Sequence, residues 1–300
     1  MMTKWNFRKA GYLLAMVGLV ACSKGQNAAL NATDSSSDGR IIGGMESTGK
    51  EDFAKSIVSL YDVSQGALCT ASILSDSILV TAAHCVDGAD PSDLRIIYGV
   101  NLESRDIVVR GVDSFLVSPL WAARQGEEFN TGDIAVVHFS GGLVPGFVPA
   151  TVLTDLTQLK NGDAVLLAGY GISDGVNQTG SGHLRFVETT IRNTTYSKTE
   201  ILVDQTQGKG ACHGDSGGPA YAKVDGKLVL WGVTSRGVDD PNNDCSVAAA
   251  YTAIPFYSQW VTKAAAGLNS RAARARSNNS TAPAVAAPAA NSSHAVAAAH

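Results

Sequence analysis

Gly214-Asp215-Ser216-Gly217-Gly218-Pro219 is the stretch on which the reading of this 300-residue chain turns. A serine hemmed by glycines has little backbone bulk around its hydroxyl, so a carbonyl group can approach it closely. Gly214 permits a tight turn in which the amides of residues 214 and 216 point at one spot. Two converging N–H donors there would hold a developing negative oxygen. Taken alone, the stretch fits a glycine-serine loop around a capped turn equally well. Two further stretches decide between these readings: Thr81-Ala82-Ala83-His84-Cys85 and Asp133-Ile134-Ala135-Val136.

With His84, Asp133 and Ser216 in that order and in those motifs, the chain resembles the trypsin/chymotrypsin-like serine peptidases. The resemblance runs from about Ile41 to about Lys263. It implies an all-β fold of two six-stranded antiparallel Greek-key β-barrels with a short C-terminal helix. The first barrel is expected within about 41–150 and the second within about 160–263. It also implies roles: Ser216 as nucleophile, His84 as general base and acid, and Asp133 as the group that orients the imidazole. The amides of Gly214 and Ser216 would form the oxyanion hole, and Ser235 would support the aspartate.

Substrate selection follows from the same resemblance. Gly210 falls at the base of the S1 pocket, with Gly237 and Ala249 on its walls, all small and uncharged. A roomy neutral slot implies an apolar, chymotrypsin-like P1 preference for Phe, Tyr, Leu or Met, stabilised by side-chain burial. His213 and Arg236 near the mouth support a competing reading in which acidic P1 residues are taken. The partners implied are protein or peptide substrates, with no metal or organic cofactor and a monomeric state.

The strands expected from apolar runs between turns include Ile57 to Tyr61, Ala71 to Leu74, Ile78 to Val80 and Ala135 to Phe139. His138, inside the last of these, reads as a structural or surface histidine rather than a ligand. The formal net charge is −4, and no Lys/Arg stripe interleaved with aromatics occurs, which argues against a nucleic-acid partner. Of five cysteines, the resemblance pairs Cys69 with Cys85 and Cys212 with Cys245. Two such bridges imply an oxidising compartment. Cys22 is left over.

The leftover cysteine has its own context. Lys4, Arg8 and Lys9 precede an apolar run from Ala10 to Ala21, too short to span a bilayer comfortably, so residues 1–22 read as an export signal. Leu19-Val20-Ala21-Cys22 resembles a bacterial lipobox, which implies lipidation of Cys22 and an outer-membrane lipoprotein. An ordinary signal peptide with a cysteine near its end is the alternative. Residues 23–40 are Ser/Asn/Asp/Gly-rich and read as a flexible tether and propeptide.

The tether ends at Arg40, before Ile41-Ile42-Gly43-Gly44, which resembles the family's activation junction. Cleavage there by a separate trypsin-like protease would free the Ile41 ammonium to pair with the buried Asp215. It would also release the enzyme from its lipid anchor, so the membrane is a partner only before activation. The Ala/Ser/Asn-rich residues 264–300 read as a disordered tail. A different class of function, a non-catalytic binding lipoprotein on the same fold, competes with the peptidase. Members of that kind usually lack a triad residue.

Overall fold

A computed structural model describes residues 41–124 and 126–280. Arg40, Cys22, the export signal, the tether and residues beyond 280 lie outside them. Among the described residues thirteen strands run β1 (Met45–Glu46), β2 (Ile57–Asp62), β3 (Ala67–Ser75), β4 (Ile78–Thr81), β5 (Leu94–Tyr98), β6 (Val108–Val117) and β7 (Ala135–Phe139). They continue as β8 (Ala164–Gly169), β9 (Arg185–Asn193), β10 (Glu200–Asp204), β11 (Pro219–Val224), β12 (Lys227–Val238) and β13 (Ala248–Ala253). The helices are α1 (Pro119–Ala123) and α2 (Ile254–Ser280).

The strands close into two six-stranded antiparallel barrels. Barrel one runs β2-β3-β4-β7-β6-β5, with β5 returning to β2. Barrel two runs β9-β10-β13-β12-β11-β8, with β8 returning to β9. In each the third strand is followed by a connection to a fourth strand that pairs with the first, as in a Greek key. That repeated connection matters for the site. In barrel one it lies between β4 and β5 and carries His84. In barrel two it lies between β10 and β11 and carries Ser216.

Strand alternation explains the packing. Along β7, Val137 and Phe139 fill barrel one with Leu60, Ile73, Leu79 and Tyr98. Val136, on the opposite face, joins Ile78 and Val80 in the layer between the barrels, against Leu166, Tyr221 and Leu230. Both faces of β7 are therefore covered, and the strand is buried throughout. His138 shares that burial, with Nδ1 held 2.9 Å from Asp113 Oδ2.

Two boundaries differ from the sequence reading. The segment after Ile41 belongs to barrel two, not barrel one: Met45 and Glu46 pair with Phe186 and Arg185. Ile41 itself is fully buried among Leu167, Val203, Trp231 and Tyr251 of that barrel. The C-terminal helix is also not short. It continues through Lys263 to Ser280, so the first part of the expected disordered tail is helical.

The physical reason lies in residue type. Alanine has the highest helix propensity, and Val261, Ala264 and Leu268 recur at helical spacing on one buried face. That face rests on β6, β7 and β12. Beyond Lys263 the stripe consists of Ala264, Ala265 and Leu268, and the two alanines each bury little area.

Candidate active site

The histidine loop starts where β4 ends. Ala83–Cys85 forms a single 3-10 turn, and the Cys69–Cys85 disulfide ties it back to β3. The His84 backbone amide donates to Asp133 Oδ1 at 3.0 Å, and Nδ1 lies 2.8 Å from Oδ2. An ionised carboxylate only accepts, so in the neutral imidazole the ring proton sits on Nδ1 and Nε2 carries a free lone pair. Ser235 donates to the same Oδ2 at 2.7 Å, and Thr252 Oγ1 donates to the Asp133 carbonyl at 2.9 Å. Asp133 is therefore enclosed and satisfied from both barrels.

These contacts set the protonation states. Burial alone would lower the His84 pKa, but the hydrogen bond and charge of Asp133 outweigh it and hold the imidazole above its ordinary value. Burial would raise Asp133, yet the His84 and Ser235 hydrogen bonds keep its carboxyl below the ordinary range. The pair is arranged to keep the aspartate ionised and to favour a protonated imidazole beside it.

Ser216 comes from barrel two and leans on barrel one. Its carbonyl accepts from Thr70 N at 2.9 Å and lies 3.6 Å from Cys85 Sγ, beside the histidine turn. A Cβ at Gly217 would stand 2.0 Å from Thr81 Oγ1 and 2.4 Å from the Thr70 carbonyl, so only glycine allows this approach. The Ser216 hydroxyl and the His84 ring are not hydrogen-bonded here; such contacts often tighten only with substrate in place. Gly214 has φ +96°, in the region open to glycine. Asp215 N donates to Cys212 O and Gly217 N to Thr234 O. The amides of Gly214 and Ser216 donate to no acceptor among the described residues.

Asp215 points away from the serine hydroxyl into barrel two. Its oxygens accept from Gly171 N and Cys212 N, each at 2.8 Å. Burial pushes its carboxyl up to about 7, against the opposing pull of those amides and of the Arg185 charge.

Beside Ser216 is a cavity of about 380 Å³ walled by Ala211, the Cys212–Cys245 disulfide, Gly237 and Ala249. Two of the three expected pocket residues therefore line it. Gly210 does not, because Gln205 covers it: a Cβ on Gly210 would meet Gln205 Cδ at 2.3 Å. The floor is a buried amide rather than empty space. A larger groove of about 1270 Å³ lies beside Ile42, Glu46 and Lys209 but touches neither His84 nor Ser216. Chemistry rather than size places the site at the smaller cavity.

The charge expected at the mouth is also altered. Arg236 is gripped by Glu200, whose side chain is fully buried, so its guanidinium is not free to attract an acidic P1 group. Glu200 additionally accepts from Asn130 N and from Thr131 N and Oγ1, on the segment leading into Asp133. Burial opposes its ionisation, but Arg236 and these donors keep its carboxyl below the ordinary range. Neither Gln205 nor Glu200 stood out as a site residue in the sequence. Glu200 left one trace, a carboxylate opening the apolar run Ile201-Leu202-Val203; Gln205, in a Thr/Gln/Gly loop, left none.

Two antiparallel barrels meeting where the buried Asp133 holds His84 at the cleft, with a glycine-framed serine between them, define the double-barrel serine hydrolase class. The chain belongs to the trypsin family, whose model matches residues 41–261. It is 28% identical over 249 residues to trypsin alpha-4 of Lucilia cuprina, covering 77% of this chain and 89% of that protein. Trypsin delta of Drosophila melanogaster is 30% identical over 213 residues, covering 67% and 79%. The fibrinolytic enzyme, isozyme C, of Lumbricus rubellus is 28% identical over 216 residues, covering 64% and 86%.

Proposed function

We propose that this protein is an exported serine endopeptidase that cleaves peptide bonds through an acyl-enzyme. The observation that carries the reading is the buried Asp133 holding His84 Nδ1 at 2.8 Å beside the Ser216 loop. In the proposed reaction, His84 Nε2 takes the Ser216 proton as Oγ attacks the scissile carbonyl. Asp133 stabilises the imidazolium without itself becoming protonated. The amides of Gly214 and Ser216 receive the negative oxygen, a term worth about 3–4 kcal/mol per donor. The imidazolium then gives its proton to the leaving amine, and water hydrolyses the ester by the same route.

The precursor is activated by cleavage after Arg40. Ile41 is already buried, Ile42 is bridged to Gly210, and the enclosed Asp215 accepts, among the described residues, from the amides of Gly171 and Cys212, with the Arg185 charge farther off. The new ammonium would supply the missing buried charge. The neutral Gln205 amide at the base and the small residues Gly237 and Ala249 favour a bulky, uncharged P1 side chain, so the activating cut after arginine is made by another, trypsin-like protease. Lipidation at Cys22 would hold the precursor at the outer membrane until that cut releases it; fractionation of cleaved and uncleaved protein tests this.

A fluorophosphonate probe tests the central claim. Protein cleaved after Arg40 should label at Ser216 and hydrolyse peptides, and both should vanish in Ser216→Ala. An unlabelled but folded protein would leave the non-catalytic binding lipoprotein as the better reading.

A further inference from the structure

Resting on the peptidase reading above, we infer that Gln205 sets P1 specificity and selects a neutral side chain with a hydrogen-bond donor at its tip: tyrosine above phenylalanine. The amide of Gln205 is held in one orientation. Its Nε2 donates to the carbonyls of Ala211 at 3.0 Å and Cys245 at 2.6 Å, and turning the amide over would set oxygen against oxygen. The side chain is 1% exposed, yet its Oε1 has no hydrogen-bond partner among the described residues. Gln205 lines the same cavity as Ser216. With Nε2 turned to the backbone, Oε1 is the edge of the amide left without a donor, enclosed beneath the cavity surface.

A buried acceptor without a partner is costly and calls for a donor. A tyrosine ring would fill the space between Ala211, Gly237 and Ala249, and its hydroxyl would donate to Oε1. Phenylalanine would fill the same space and leave Oε1 unmatched in a pocket it has closed to water. Sites built to bind a substrate hydroxyl reject the analogue that lacks it. The charges agree with a neutral guest. A carboxylate would face Asp240 on the wall and find Arg236 already paired with Glu200. Lysine or arginine would bring its charge to a floor made by the neutral Gln205 amide, where no carboxylate stands; Asp240 lies on the wall, held there by the amides of Asp244 and Cys245.

The test compares matched peptides differing only in Tyr or Phe at P1. Full-length protein cleaved after Arg40 by immobilised trypsin is used, with active sites counted by fluorophosphonate. Tyr should exceed Phe in kcat/KM by roughly tenfold or more. In Gln205→Met, which keeps the volume but removes the acceptor, the ratio should fall to about one or below; the ratio is unaffected by any loss of folded protein. Equal rates for Tyr and Phe in labelled wild-type enzyme, or a preference for Lys, Arg or Glu, overturn the role of Gln205 while the peptidase reading stands. Protein that neither labels nor cleaves overturns both.

Discussion

The Arg236 guanidinium meets the Glu200 carboxylate through both terminal nitrogens, at 2.8 and 3.3 Å, on the barrel-two side of the cleft. From there Glu200 reaches the amides of Asn130 and Thr131, and Arg236 reaches the Glu128 carbonyl. The pair thus fastens the segment that carries Asp133, in barrel one, to the strand that carries Ser235, in barrel two. Glu200→Ala would leave a partly buried guanidinium and two backbone donors uncompensated, which costs about 3–5 kcal/mol. Urea denaturation should register that loss. Replacing both residues with Leu and Met should recover much of it, and an unchanged midpoint in Glu200→Ala would contradict the clamp.

Activity should depend on pH through His84. Its pKa is held above the ordinary 6.5 by Asp133, and the neutral imidazole is the active form. The acid limb of kcat/KM should therefore lie above 6.5 and activity should fall as pH drops through it. Asp133→Asn should move the limb down and reduce kcat by about 10⁴. A limb unmoved by that substitution would separate Asp133 from the titrating histidine.

Stability of the uncleaved chain should fall as pH rises. Burial lifts Asp215 from 3.8 to about 7, so the native state holds its proton where the unfolded chain has lost it. The contribution is complete below about pH 4 and is lost toward pH 7, at up to about 1.4 kcal/mol per pH unit. Melts of uncleaved Ser216→Ala protein at pH 5 and pH 7 should show the loss. Adding Asp215→Asn, or cleaving after Arg40, should flatten it. Parallel slopes in all three forms would exclude Asp215 as the source.

The long helix should bear on stability beyond Lys263. Leu268 is fully buried in the layer shared by both barrels. Leu268→Ala should cost about 2–5 kcal/mol, and truncation after Lys263 at least as much. A truncated protein as stable as the full chain would show that the helix beyond Lys263 contributes nothing to the core.

The fold class and the three motifs were legible in the chain because they depend on local constraints. Alternating apolar residues mark the strands, His84 and Ser216 each sit in a short run whose composition serves one geometry, and the family resemblance those runs carry with Asp133 implies the double barrel. The allocation of Ile41–Glu46 to barrel two, the length of α2, the Gln205 floor and the Glu200–Arg236 clamp were not legible. Each depends on what lies opposite in space: Ile41 finds its core among strands far along the chain, and Leu268 needs the face formed by β6 and β7. Gln205 is defined by the carbonyls of Ala211 and Cys245, one of them 40 residues away. Motifs reveal where the backbone must bend and which side chain must react, because those demands act on neighbours in sequence. Pocket floors and charge partners arise where distant segments exclude water together, and only the folded chain decides which segments those are.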